Sequence, residues 1–169
     1  MKIALDIDDV LADFMGAYKE FFNTNKYPNR LQSATITKNV QSLRKNKVFW
    51  TSLRVINKLN FEPELYCTKR VNSKRFTKEW LISNGFPNKP VYQVYNQSAN
   101  KAERIKGRCD VLIDDSYFNV IKSMESGLPA LLYTTPENQN YDFPYRINSL
   151  TYEEIERVYN KLINEIRPI

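Results

Sequence analysis

The sequence predicts an α/β fold built on a mainly parallel sheet, and three observations predict it. Short apolar runs alternate with stretches of helical periodicity from end to end, which is the pattern that repeated strand-helix-strand units leave. Most of those runs are followed by a residue able to start a helix. The 169 residues suffice for one globular domain with a modest insertion and are short for two independent domains.

Taken in order, KIALDI (residues 2–7) reads as the first strand, ELYC (64–67) as the second, VYQV (91–94) as the third, DVLI (110–113) as the fourth and PALLY (129–133) as the fifth. After the second strand Ser73 can cap a helix that carries Phe76, Trp80 and Leu81 on one face, with Gly85 as its stop. After the fourth, Ser116 can cap a helix with Val120, Ile121 and Met124, ended by Gly127. Thr151 and Glu154 form a capping-box signature before a last helix that repeats Ile155, Val158, Tyr159, Leu162 and Ile166 at helical spacing. Far more chain separates the first two strands than the dozen or so residues that one crossover needs, so an inserted subdomain is expected there. Within it, residues 14–22 read as an amphipathic helix, 26–39 as polar and irregular, and 40–59 as helical again. No internal repeat is present.

Composition narrows the chemistry. The chain has no histidine, which excludes Ser-His-Asp and Cys-His nucleophiles and, with only two cysteines, argues against a dedicated zinc site. Acid and base work then falls to carboxylates or lysine, and a metal would be a hard, oxygen-loving ion such as Mg²⁺. Cys67 and Cys109 each adjoin an apolar run and read as small buried thiols. The net charge of +6 favours phosphate-bearing ligands, and residues 38–47 are the most basic stretch, readable equally as a solvated helix face or a binding patch. No apolar run is long enough to span a bilayer, and carboxylates follow the N-terminus at once, so neither a membrane nor a signal peptide is expected and the default location is cytoplasmic.

In open parallel sheets ligands bind beyond the carboxyl ends of the strands. Here those ends carry Asp6, Asp8 and Asp9 after the first strand, Thr68, Lys69 and Arg70 after the second, and Asp114 with Asp115 after the fourth, while Lys101 opens the helical segment before it. Singly, each has a structural reading: an aspartate can cap the next helix, and a lysine can simply be solvated. Together, carboxylates converging on one edge repel one another unless a cation lies among them. Asp6, Asp8, Asp114 and Asp115 are therefore the candidate metal site, with Mg²⁺ as the expected cofactor. Asp6 can attack phosphorus in line, and Asp8 can carry a proton to the leaving alkoxide and later take one from water. Thr68 offers a hydroxyl donor and Lys101 a fixed charge to the phosphoryl oxygens. Lys69 and Arg70, with Phe14, Phe49 and Trp50 of the insertion, are the residues expected around the rest of the substrate; Phe14 and Trp50 also read as core of the insertion.

DIDDVLADF, LYCTKR, Lys101 and VLIDD, in that order, resemble the four motifs of the haloacid dehalogenase superfamily of phosphatases. The resemblance implies a Rossmann-like core of residues 1–13 and 61–169, with a small helical cap of residues 14–60 inserted after the first strand. It implies Asp6 as nucleophile, Asp8 as acid/base, Thr68 and Lys101 on the phosphate, and Asp6, the Asp8 carbonyl and Asp114 around Mg²⁺. The VLADF run is most similar to 5′(3′)-deoxyribonucleotidases, so a nucleoside monophosphate is the expected substrate and partner. Asp9 stands where a glycine is usual, and Thr68-Lys69-Arg70 is also similar to polynucleotide phosphatases, so a nucleic-acid end is the alternative substrate. A receiver-type signalling domain gathers similar residues, but its phosphorylated aspartate should end the third strand, and VYQV has none.

Overall fold

The computed structural model describes residues 1–25, 34–95 and 99–166. Six strands form one sheet: β1 (Ile3–Leu5), β2 (Leu65–Thr68), β3 (Val91–Gln93), β4 (Val111–Asp114), β5 (Ala130–Tyr133) and β6 (Arg146–Ile147). Their order is β3-β2-β1-β4-β5-β6, and every pairing is parallel. The sequence order reverses between β1 and β4, where Leu5 lies opposite Ile113 and the Asp6 amide donates to the Ile113 carbonyl at 2.9 Å. A crevice opens at such a reversal because the connections on its two sides leave in opposite directions.

Alternate strand residues face two separate apolar layers, as a pleat requires. Ile3, Leu5, Tyr66, Val111, Ile113 and Leu131 belong to one, and Ala4, Leu65, Cys67, Leu112, Ala130 and Leu132 to the other. Helices α4 (Lys74–Ser83) and α7 (Tyr152–Ile166) cover the first through Trp80, Leu81, Ile155, Val158 and Leu162. Helices α5 (Ala102–Ile105) and α6 (Tyr117–Glu125) cover the second through Ala102, Ile105 and Val120. Ser73 and Ser116 cap α4 and α6, accepting from the amides of Arg75 and Asn119. Both cysteines are free and buried, and burial raises the Cys67 thiol to about 12 and that of Cys109 to about 11.

Between β1 and β2 lie α1 (Phe14–Phe21), α2 (Ala34–Ser42), a 3₁₀ turn (Leu43–Lys45) and α3 (Lys47–Thr51). Leu43, Phe49 and Trp50 of these elements, with Leu53 just beyond α3, join the same apolar cluster as Leu5, Ile113 and Trp80, so among the described residues this stretch packs on the sheet layer. The outgoing and returning chains run side by side: Ala12 pairs antiparallel with Val55, and Ile56 and Asp13 exchange amide bonds with the Leu11 and Arg54 carbonyls at 2.9 Å each.

Four expectations are corrected. Of the stretch expected to be irregular, residues 26–33 lie outside the described residues, but 34–39 are helical, fixed where Val40 meets the core and Asn39 donates to the Tyr18 hydroxyl at 3.1 Å. The helix expected over 40–59 is broken: Asn46 ends the 3₁₀ turn and caps α3, and beyond Ser52 the chain is drawn out of helical form by its pairing with residues 11–13 and by the Trp80 indole, which donates to the Leu53 carbonyl at 2.8 Å. The capping box at α7 is half made: Thr151 accepts from the Glu154 amide at 3.4 Å, while the Glu154 carboxylate reaches past it to the amides of Asn148 and Ser149. Strand β6 was not expected. Among the described residues no helix is long and apolar enough to cross a membrane.

Candidate active site

The chain leaves β1 and folds back at once, because the Ile7 carbonyl accepts from the amides of Leu11 and Ala12 at 2.8 and 2.9 Å. Asp9 sits in this turn at φ 59°, a left-handed conformation that favours glycine and that aspartate tolerates better than most residues. That accounts for an aspartate where the resembled motif has glycine. The Asp9 side chain is buried and accepts from the Met15 amide at 2.8 Å, tying the turn to the start of α1.

The turn points Asp6 and Asp8 in different directions. Asp6 is buried, with one carboxylate oxygen accepting from the Ile7 amide at 2.8 Å and the other paired with Lys101 Nζ at 2.8 Å. Lys101 Nζ also reaches Asp114 at 2.7 Å, so one buried ammonium bridges the ends of β1 and β4. Asp114 further accepts from the Ser116 amide at 2.8 Å and, on both oxygens, from Asn119 Nδ2 at 3.1 Å. Oxygen atoms of Asp6, Asp114 and the half-exposed Asp115 lie within 4.8 Å of one another.

Burial raises the Asp6 carboxyl to about 7; Lys101 pulls it down, and the neighbouring Asp114 and Asp8 push it further up. Burial alone would lower Lys101, but Asp114 and Asp6 overcome it and hold the ammonium above its ordinary value. Three carboxylates around one lysine leave an excess of negative charge in a water-poor place, and the donor set is all oxygen. Both features fit a hard divalent cation such as Mg²⁺.

Asp8 is absent from that acidic group because its carboxylate is turned toward β2. Arg70 holds it through Nε at 3.1 and 3.0 Å and through Nη2 at 2.7 Å, and the Thr68 hydroxyl donates to it at 3.3 Å. Any share of Asp8 in metal binding therefore falls to its main-chain carbonyl. Arg70 is buried against the Trp50 and Trp80 rings, 5.2 and 5.9 Å from their centroids.

The residues expected around the rest of the substrate have protein partners or lie largely in the interior. Arg70 is spent on Asp8 and has no exposed head to offer a ligand. Lys69 donates to Asn119 Oδ1 at 2.9 Å, bracing the group that holds Asp114. Trp50 is only 1 % exposed, Phe49 is buried beside it, and the partly buried Phe14 stacks on Trp50 at 5.6 Å and meets Phe49 edge-on at 6.1 Å. These rings pack on one another and on the sheet-side apolar cluster, and the Trp50 indole donates inward, to the Leu43 carbonyl. Asn119 is the site residue that sequence reasoning missed. Its signal is weak: an asparagine in the first turn of the helix that follows an acidic strand end.

No family model matches the sequence, and no curated protein matches it. Among solved structures it is similar to a haloacid dehalogenase-like family hydrolase from Streptococcus pneumoniae, with a TM-score of 0.53 and 12% identity over 95% of this chain and 97% of that one. It is also similar to a haloacid dehalogenase superfamily hydrolase of subfamily IA from Geobacter sulfurreducens, with the same TM-score and identity over 98% of each chain. The Rossmann-like α/β fold of these hydrolases is thus the fold of this chain, over nearly its whole length.

Proposed function

We propose that the chain is a Mg²⁺-dependent phosphomonoester hydrolase that works through an aspartyl-phosphate on Asp6, with a nucleoside monophosphate as substrate. The observation that carries this reading is the division of labour at the sheet reversal: Asp6 and Asp114 share Lys101 beside Asp115, while Asp8 is held apart by Arg70. Asp6, Asp114 and the Asp8 carbonyl, with Asp115 beside them, would hold Mg²⁺, which when bound offsets the charge of the carboxylates and of the phosphoryl oxygens. An Asp6 carboxylate oxygen attacks phosphorus, the bond from phosphorus to the ester oxygen breaks, and Asp8 delivers a proton to the departing alkoxide. Water then attacks the acyl phosphate, Asp8 takes its proton, and inorganic phosphate leaves with Asp6 restored. Lys101 and Thr68 supply positive charge and a hydroxyl donor at the phosphoryl group.

The fold of the two similar hydrolases supports the reaction class, and the likeness of the VLADF run supports the nucleotide. A phosphorylated oligonucleotide end is the second reading, favoured by the exposed cations Arg44, Lys45, Lys74 and Arg75. The test is a panel of ribo- and deoxyribonucleoside monophosphates, phosphorylated oligonucleotides and sugar phosphates, assayed with Mg²⁺ and with chelator. Wild type should release phosphate only with Mg²⁺, and Asp6→Asn should release none while keeping its unfolding midpoint. Turnover by a folded Asp6→Asn protein would overturn the covalent route.

A further inference from the structure

The basic stretch of residues 38–47 takes no part in the reaction steps above, yet Leu43 anchors it in the core. Arg44 and Lys45, on the 3₁₀ turn, line a cleft of about 300 Å³ together with Asn72, Ser73, Phe76 and Tyr95. That volume is at the lower end of the range for small-molecule sites. The cleft is lined by two cations and no carboxylate, and among the described residues neither cation has an ion-pair partner. It opens at the N-terminus of the ten-residue α4, whose dipole favours an anion.

A second observation is independent of this charge. Asn72 is 1 % exposed, and its Oδ1 is pinned by Thr77 at 3.5 Å and Gln93 at 3.1 Å, yet its Nδ2 has no hydrogen-bond partner among the described residues. A buried donor left unpaired is costly and is rare unless something else pairs with it. Tyr95 is 57 % exposed, an open aromatic face at the same mouth. The cleft also adjoins the site along the chain: Asn72 is two residues from Arg70, which holds Asp8, and the Gln93 amide donates to the carbonyls of both Arg70 and Asn72.

We propose that this cleft takes a second phosphate of the substrate, with Tyr95 as the platform for the base, so that the preferred substrate is a nucleotide carrying two phosphates, one presented to Asp6 and one to Arg44, Lys45 and Asn72. The inference rests on the phosphatase reading for the first phosphate. The same chemistry comes from two sources, a free nucleoside 3′,5′-bisphosphate or the phosphorylated end of an oligonucleotide.

The test is direct titration of the non-hydrolysing Asp6→Asn protein with a nucleoside 5′-monophosphate, the matching 3′,5′-bisphosphate and a 5′-phosphorylated dinucleotide. Arg44→Gln/Lys45→Gln in the same background is the comparison, beside turnover assays on the otherwise wild-type chain. The bisphosphate or the dinucleotide should bind at least tenfold more tightly than the monophosphate, and the double substitution should erase that advantage; whichever of the two shows it identifies the source. Both altered side chains are exposed, so the fold should survive. Equal binding of all three ligands, or an advantage that survives the double substitution, overturns the proposal. If no panel member is turned over while the advantage persists and remains sensitive to Arg44 and Lys45, the phosphatase reading falls and the cleft stands as a nucleotide site.

Discussion

Arg70 fixes both oxygens of Asp8, and the proton-transfer role proposed for Asp8 is measurable. Asp8→Asn keeps the shape of the side chain but can neither give nor take a proton, so kcat should fall by roughly 10²- to 10⁴-fold on an alkyl phosphate. On an activated aryl phosphate, whose leaving group hardly needs a proton, the loss should be smaller; equal losses on both would reassign Asp8 to a structural role. Asn119 braces Asp114 from the other side through both carboxylate oxygens. Outer partners of metal ligands are worth roughly 10- to 100-fold in affinity, so Asn119→Ala should raise the Mg²⁺ concentration for half-maximal activity by about that factor. An unchanged Mg²⁺ titration would detach Asn119 from the metal. Asp6, Thr68 and Asp114 were legible because strand ends place them at one edge, and Lys101, which opens α5, because their charge calls for a nearby cation. Asn119 was not legible, since its part depends on α6 starting just after Asp114 so that its first turn folds back. Trp50 was readable both as core and as a ligand contact, because an aromatic at helical spacing looks the same in sequence whether it faces a ligand or a core; the structure buries it with Phe49.

Elements were legible wherever a cap and an apolar period agreed, as at α4 and α6. The Ser116 cap joins that local order to the site, because the Ser116 amide also donates to Asp114. Ser116→Ala should cost about 1 kcal/mol of stability, read by urea unfolding, with the amide bond to Asp114 retained. No loss would mean the hydroxyl contributes nothing to the helix start. Strand β6 escaped notice because it is two residues long and only Ile147 is apolar; its place is secured by the Arg146 side chain, which donates to Asn138 Oδ1 and to the Asn138 carbonyl at 2.9 and 2.7 Å. The broken helices of the insertion escaped for the opposite reason, since the apolar period continues through Asn46 and Ser52 while tertiary bonds end the helix.

For the molecule as a whole, the buried acidic group ties stability to pH. Burial raises the Asp6 carboxyl from 3.8 to about 7, so between those values the folded metal-free chain holds a proton that the unfolded chain has lost. The stability contributed by that proton is complete below the unfolded value and is lost as pH rises through the folded one. On the proposed reading a metal ion would take the proton's place, so the rise in melting temperature given by Mg²⁺ over chelator should be larger near about pH 8 than near about pH 5. An equal rise at both would remove Asp6 from the metal site. The strand order has a consequence of another kind, for a chain still being synthesised. Strand β1 lies in the middle of the sheet and can pair with β2 early, but its other edge stays bare until β4 is made. Synthesis from Thr68 to Asp114 takes on the order of a few seconds, and an unpaired central edge over that interval invites association with other chains. Asp114, which completes the acidic group, arrives on the same strand that covers the edge, so the nascent chain is open to misassembly and lacks its full acidic group over the same interval.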